Sequence, residues 1–510
     1  MIPTIFDKQP VVRVLLLAIF ITGCASLPTD YPLPQSSALQ DYRSTALGRR
    51  WFADEVRHPG QSAFALLRYG RDAFSIRMAL IDQAEKTLDL QVYIWQADAT
   101  GQIMAEHLLR AADRGVRVRL LVDDLGLAAT DAGVAAMDAH PNIEIRFFNP
   151  FVNRKVNELD FIIDLNRVNH RMHNKMIVAD NSFAVVGGRN VGDHYFGVNS
   201  NTNFRDLDIM MSGPIVRDIS NVLDYFWNGD WSVPVSMVVK NTVTPDELAH
   251  ERIRLRERIA AGDYPYDVED DIAEILYRIK GQAIWAAGKV VWDDPAAIRE
   301  GRQVSDLTAA LRRKVDSLEK SYIIESAYFV VQDSGVENVK KMVDRGVSVR
   351  VLTNSLASND VLAAHAGHAK FRKGLLKAGA ELYELRPDSN VIKKTWSGES
   401  RAGLHTKAMV FDDESLFIGS FNLDPRSAYI NTEAGIYVES PELAQRLLAY
   451  MDEGVLPKNS YRVTLDESDQ LVWTTAINGE EVRYFKDPLS TFSQRFMSGF
   501  IGLLPVDSQL

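Results

Sequence analysis

The chain has 510 residues, enough for two or three domains with sizeable cores. Its 57 Lys and Arg stand against 68 Asp and Glu, a net charge of −11, and that balance argues against a nonspecific nucleic-acid partner, which calls for the opposite sign. A single cysteine excludes an internal disulfide and a cysteine-based metal cluster.

In chain order, Lys8 and Arg13 come first and a short apolar run over 14–22 follows. The run is far shorter than the ~20 residues that cross a bilayer, but it suits the hydrophobic region of a secretory signal. It ends in Ile21-Thr-Gly-Cys24-Ala25-Ser26, which resembles the lipobox of bacterial lipoproteins, where cleavage falls before a cysteine that is then lipidated. The reading is a lipoprotein signal peptide over 1–23 and lipidation at Cys24. It implies a lipid-anchored protein of the bacterial cell envelope facing the periplasm. Ala25 after the cysteine, rather than Asp, leans toward the outer membrane. Residues 24–45, with several Pro and polar side chains, read as a flexible tether.

Two similar halves are expected over 46–237 and 301–447. In each, an apolar strand (88–95, then 322–331) leads through a helical stretch to a second strand. Asp113-Arg-Gly-Val-Arg-Val-Arg-Leu-Leu-Val-Asp-Asp124 corresponds to Asp344-Arg-Gly-Val-Ser-Val-Arg-Val-Leu-Thr-Asn354. Strand, helix, strand at this spacing predicts parallel βαβ pairing, hence an α/β sandwich in each half. Between them, 238–300 reads as a charged connector packed outside any cleft, its charge run a solvated face.

Each half carries the same motif. His173-x-Lys175-x4-Asp180 is followed by Gly187-Gly188-Arg189-Asn190, and His405-x-Lys407-x4-Asp412 by Gly419-Ser420-Phe421-Asn422. The run after each Lys reads as strand, tight turn, strand, with the Asp in the turn. His and Lys, two apart on a strand, share a face. The glycines let the backbone approach a ligand and deliver the Asn. Two halves thus offer two imidazoles, two ammonium groups and two carboxamides to one point. Phosphoryl transfer needs a nucleophile, an acid at the leaving oxygen and positive charge around the equatorial oxygens. Histidine, titrating near 6.5 when unperturbed, serves as nucleophile in one protonation state and acid in the other, and two His split those roles. One copy alone reads as well as a hairpin with surface His and Lys. Two copies in one register point to a duplicated active-site half acting on a phosphodiester. Protonated Lys has no lone pair to donate and no Cys cluster exists, so a metal site is disfavoured; no cofactor is expected.

These motifs resemble those of the phospholipase D superfamily. The segments Asp89-Leu-Gln-Val-Tyr-Ile-Trp95, Val186-Gly-Gly-Arg-Asn-Val-Gly-Asp-His-Tyr-Phe-Gly197, Leu382-Tyr-Glu-Leu-Arg-Pro387 and Gly419-Ser-Phe-Asn-Leu-Asp-Pro-Arg-Ser427 are similar to bacterial cardiolipin synthases of the C type. That similarity runs from about residue 60 to the C-terminus. It implies an α/β fold of two α-β-α sandwich halves with pseudo-two-fold symmetry and one shared cleft. It also implies that one His becomes a phosphohistidine while the other protonates the leaving alcohol and then activates the incoming one. His173 is assigned as nucleophile and His405 as acid/base, after several relatives; the reverse stays open. Lys175, Lys407, Asn190 and Asn422 would hold phosphoryl oxygens, with Asp180 and Asp412 giving orientation and charge balance. An acidic residue beyond the Asn supports a catalytic His in the family. Glu433 fits that role and Asp206 is the first-half candidate, both counted with the Asn residues as part of the substrate site. Gly188 stands where many relatives carry Ser, so a hydroxyl contact is missing there. Polar residues over 353–368, His365 and His368 among them, are candidate substrate contacts.

The implied reaction is transfer of a phosphatidyl group from a donor phospholipid to phosphatidylglycerol, making cardiolipin. Attack by water instead would make the chain a phospholipase D that releases phosphatidic acid. A nuclease and a noncatalytic lipid-binding scaffold are the other readings. The charge disfavours the first of these, and retention of both His, both Lys and both Asn disfavours the second. Expected partners are membrane phospholipids (phosphatidylglycerol, with or without phosphatidylethanolamine) and the membrane surface, with no nucleic acid; the need for an accessory protein stays open. In the C-terminal segment, 448–510, Phe492, Phe496, Met497, Phe500, Ile501, Leu503 and Leu504 recur at helical spacing. They read equally as an amphipathic helix on a membrane interface or as a terminal helix docked on the core.

Overall fold

A computed structural model describes residues 33–504 and 509, apart from 155, 241–242, 263, 265–271, 300–304 and 392–399. The signal peptide and Cys24 lie outside the described residues. The first half contributes β1 (Ser62–Leu67), β2 (Thr87–Val92), β3 (Arg117–Asp123), β4 (Ile143–Phe148), β5 (Met176–Ala179), β6 (Phe183–Gly187), β7 (Thr202–Arg205), β8 (Asp208–Ser212) and β9 (Ser232–Pro234). After β10 (Ile284–Trp292) come β11 (Ser321–Ser326), β12 (Ser348–Asn354), β13 (Glu381–Leu385), β14 (Arg401–Leu404), β15 (Lys407–Phe411), β16 (Ser415–Gly419) and β17 (Ala434–Glu439). Three further strands, β18 (Ser460–Leu465), β19 (Leu471–Ile477) and β20 (Glu480–Tyr484), follow.

Pairing in the first half runs β9-β4-β3-β2-β5-β6-β8-β1. In the second it runs β17-β16-β15-β11-β12-β13-β18-β19-β20. The expected parallel βαβ units are present: β2 and β3 pair in parallel around helix Ala99–Asp113, and β11 and β12 around helix Gln332–Asp344. The strands after each motif form the expected hairpins, β5–β6 and β15–β16. At both turns Asp180 and Asp412 adopt positive φ, 51° and 53°, a region short polar side chains tolerate.

The two halves are one folding unit, because the inner faces of their sheets share a core. Val178, Val186 and Ile209 from the first half pack in one cluster with Val410, Ile418 and Ile436 from the second. Strands β5, β6, β15 and β16 are buried along their whole length, as expected where both faces are covered. β10 joins the sheets at their edge. Its first residues pair with β1 and the remainder with β17, so it is a structural strand within what its charged neighbours marked as connector.

Two further expectations need revision. Residues 34–45 do not hang free as a tether: Arg146 donates to the Pro34 carbonyl at 2.9 Å, Arg119 to that of Ser36 at 2.8 Å, and Tyr42 is buried. The sequence there is polar, but its backbone carbonyls satisfy buried guanidinium groups. The second half also runs past residue 447, since helix Pro441–Gly454 belongs to the shared core and β18–β20 extend its sheet.

Candidate active site

In each half the motif His sits just before a hairpin strand, at the carboxyl end of the first parallel strand. Gln91 at the end of β2 pairs with Met176, and Ser326 at the end of β11 pairs with Lys407. Ligands gather at carboxyl ends of this kind in α/β sheets. His173 and His405 therefore precede β5 and β15 rather than lying within them, and the partner half fixes their backbones. The His173 N–H donates to the Thr432 carbonyl at 2.9 Å, and the His405 N–H to the Arg205 carbonyl at 2.8 Å.

The next residue in each partner half is the acid. Glu433 follows Thr432, and its Oε2 lies 2.9 Å from His173 Nδ1. Asp206 follows Arg205, and its Oδ2 lies 2.7 Å from His405 Nδ1. Each imidazole is thus gripped by the opposite half. Both carboxylates are fully buried behind the rings, so they are positioning residues for the imidazoles and not groups of the substrate-contacting surface. With Nδ1 engaged, Nε2 is the ring nitrogen left for chemistry.

The lysines bracket the pair. Lys175 Nζ donates to the His173 carbonyl at 2.6 Å and Lys407 Nζ to that of His405, also at 2.6 Å. Aromatic walls that the sequence reading left without a role complete the site. Tyr93 meets His173 edge-on at 4.8 Å between centroids; Tyr195 meets His405 at 5.0 Å, with Phe204 at 5.3 Å. Tyr93 and Tyr195 both lie within segments carrying the family resemblance, which was the available signal. The Asn190 amide oxygen accepts from the Ile94 N–H at 3.1 Å, leaving its buried Nδ2 without an acceptor, and Asn422 Oδ1 is likewise buried and unpartnered. The open Asn190 Nδ2 donor suits a phosphoryl oxygen; the Asn422 oxygen is itself an acceptor, so only that residue's Nδ2 could serve one.

Asp180 and Asp412 do not reach the site. Each lies at the far end of the hairpin strand and caps three backbone N–H groups. Asp180 accepts from Glu85, Lys86 and Thr87 at 2.8–2.9 Å, and Asp412 from Glu319, Lys320 and Ser321 at 2.7–3.2 Å. Their place in the motif is structural, because they anchor the chain entering β2 and β11. His365 and His368 also lie away from the cleft surface, buried among Arg372, Glu384 and Asp487. Asn354 is a staple between the Ala327 and Leu404 carbonyls.

The two half-sites differ electrostatically. Burial, then Lys175, Lys407 and His405, holds His173 well below the usual histidine range. Burial and Lys407 lower His405 as well, but the Asp206 charge and hydrogen bond oppose them. Burial pushes Glu433 up to about 7, against the pull of Lys175 and the Ser420 hydroxyl that donates to it. Burial would raise Asp206 too, yet His405, Lys407 and Arg189 hold it below the ordinary carboxylate value. Gly188 explains the missing hydroxyl: a Cβ there would stand 2.1 Å from Asp206 Oδ1. The shorter acid occupies the space that Ser420 fills in the other half.

Residues 78–227 and 311–454 match the family model described as cardiolipin synthase, PLD-like domain. The chain is 37% identical over 473 residues to cardiolipin synthase C of Escherichia coli (strain K12), covering 88% of this chain and 97% of that protein. An uncharacterized protein of Helicobacter pylori (strain J99) is 32% identical over 505 residues, with 96% and 98% covered. Among solved structures, the phosphatidylserine synthase of Haemophilus influenzae Rd KW20 aligns with a TM-score of 0.53 at 14% identity, over 80% of this chain and 90% of that one, a likeness of fold. With the paired motifs meeting in one cleft, this chain belongs to the cardiolipin synthase family of phospholipase D-like enzymes.

Proposed function

We propose that the chain makes cardiolipin by passing a phosphatidyl group from a donor phospholipid to phosphatidylglycerol through a phosphohistidine. The observation that carries this reading is the crosswise pairing of each imidazole with a carboxylate from the other half. In the first step His173 Nε2 attacks the donor phosphorus and the bond to the headgroup oxygen breaks. His405 gives its Nε2 proton to that leaving oxygen. In the second, His405 Nε2 takes the proton of a phosphatidylglycerol hydroxyl, whose oxygen attacks phosphorus as the N–P bond breaks. Lys175, Lys407, Asn190 and Asn422 would hold the nonbridging oxygens.

The electrostatic difference supports this division of labour. An imidazole held neutral by burial is a nucleophile, and one backed by an ionised carboxylate better sustains the imidazolium form. His173 fits the first description and His405 the second. His173 and His405 are 7% and 5% exposed, which limits bulk water at the intermediate and favours a lipid alcohol over hydrolysis.

Purified protein in vesicles of phosphatidylglycerol, with or without phosphatidylethanolamine and without added metal, is expected to yield cardiolipin by mass spectrometry. Phosphatidic acid alone would make it a hydrolase, and DNA cleavage without either product a nuclease. His173→Ala should abolish turnover, and an acid-labile phosphoryl group should map to the peptide holding His173. Anchoring at Cys24 belongs to the same proposal. Among the described residues no helix is long and apolar enough to cross a membrane. Cys24→Ala should release the chain from membranes and leave turnover in detergent intact; a membrane-free wild type would refute the anchor.

A further inference from the structure

Among the described residues, each half exposes a group of large apolar side chains. In the first half the chain leaving β4 forms the short helices Glu158–Ile163 and Leu165–Val168, where Ile162 is 80% exposed and Ile163 63%. In the second, helix Phe492–Ile501 packs along helix Leu362–Lys377 and still leaves Phe492 76%, Phe496 62% and Phe500 51% exposed, with Leu503 at 84% just beyond. Four residues apart, the three rings form a single stripe on the outer side of the helix. Phe492 and Phe496 stack at 6.3 Å, which fixes the stripe as a shaped surface.

The second surface lies near the active site, and the first is on the chain segment that leads into His173. Helix Leu362–Lys377 begins just after Asp360, which accepts from the Tyr328 hydroxyl at 3.1 Å and whose charge acts on His405 and Lys407. Gly502, past the end of the C-terminal helix, faces Ala366 near the start of that helix: a Cβ on it would lie 3.9 Å from the Ala366 carbonyl. In the first half Asn169, four residues before His173, donates to Gln509 at 3.0 Å. Gln509 thus touches the first half, while helix Phe492–Ile501 packs on the second.

We propose that these two surfaces form one face that docks on a phospholipid bilayer, with the Phe492–Phe500 stripe and the Ile162–Ile163 tip entering the interfacial layer on either side of the cleft. The inference rests on the reading above that both substrates are bilayer lipids. The occupant follows from where the patches sit and, for the C-terminal helix, from its charge; Glu158, Asp160 and Asp164 flank the Ile162–Ile163 tip, so apolar insertion alone acts there. A protein partner or a second copy covering both patches would cap the cleft between them, whereas a bilayer seated there delivers substrate to it. The C-terminal helix, Phe-Ser-Gln-Arg-Phe-Met-Ser-Gly-Phe-Ile, holds no acid and one Arg in a chain of net charge −11, a composition suited to an anionic lipid surface.

Two measurements on the full-length chain test it. Phe492→Ser/Phe496→Ser/Phe500→Ser should lose about tenfold or more of its turnover on phosphatidylglycerol vesicles while staying within about twofold of wild type on short-chain monomeric phosphatidylglycerol. Loss on both substrates, or on neither, overturns the docking face. In a Cys24→Ser background, an environment-sensitive fluorophore at Phe496→Cys or Ile162→Cys should shift to the blue on adding phosphatidylglycerol/phosphatidylethanolamine vesicles and be quenched by a lipid-borne quencher. The same label at Lys340→Cys, exposed on the outer helix Gln332–Asp344, should do neither. This probe reads docking whether or not the chain turns over lipid, so a failed catalytic reading and a failed docking face remain distinct. Emission at 496 and 162 that matches 340, or a concentration-dependent dimer that alone causes the shift, overturns the proposal.

Discussion

Gly188 offers a direct test of the crosswise grip on His405. An alanine there would bring its methyl to 2.1 Å from Asp206 Oδ1, 2.9 Å from Cγ and 3.0 Å from Oδ2. Reaching ordinary van der Waals separation requires a shift of roughly 1 Å or more. The 2.7 Å bond from His405 to Asp206 would then stretch past hydrogen-bonding distance. A hydrogen bond to a charged group is worth about 1.5–3 kcal/mol, which converts to roughly 10–150-fold in rate if it is needed to hold the imidazolium. Gly188→Ala should therefore lower kcat/KM for cardiolipin formation in phosphatidylglycerol vesicles by that range, with initial rates followed by mass spectrometry. Ser420→Ala, which removes a donor to Glu433 without pushing on it, should cost less. The reasoning fails if Gly188→Ala keeps wild-type kcat/KM within about twofold while circular dichroism reports a native fold, because the carboxylate would then have moved without consequence.

The motif aspartates should behave as stability residues. Asp180→Ala leaves three backbone donors unpaired and should cost about 3 kcal/mol in urea unfolding, and Asp412→Ala less because that residue is 8% rather than 0% exposed. Comparable losses of activity at full stability would return them to the chemistry. Glu433, raised from 4.5 to about 7, is protonated in the folded chain over a range where the unfolded chain is ionised. Its contribution to stability is therefore present below 4.5 and is lost as pH rises through about 7. Activity runs the other way, since the ionised carboxylate is what accepts from His173 Nδ1: kcat/KM should rise with pH through about 7, and Glu433→Gln should flatten that acid limb while lowering the plateau. A pH–rate profile in which the limb survives unchanged in Glu433→Gln would assign it to another group.

Much of the site was legible because duplication left a signal in the sequence. The two His, two Lys and two Asn recur in one register, and the βαβ order and the hairpins follow from hydrophobic runs and turn residues. What could not be read was pairing across the halves. His173 and Glu433 are 260 residues apart, and His405 and Asp206 are 199 apart. Nothing local distinguishes a carboxylate behind an imidazole from one facing solvent. Asp180 and Asp412, read as orienting and charge-balancing residues of the site, prove instead to anchor backbone at the far end of the hairpins, because motif membership marks a residue needed by the local fold as readily as one needed by the reaction. β10 was hidden by the charge of its neighbours, and residues 34–45 by a polar composition that reads as free chain unless the guanidinium groups beneath are known.

The exchange of grips between the halves also bears on synthesis. A ribosome delivers the first half with its imidazole but without the acid, carbonyl and Ser420 that position it. Until Glu433 arrives and docks, an incomplete or truncated product carries no assembled site. Neither half can therefore act before the other has folded onto it.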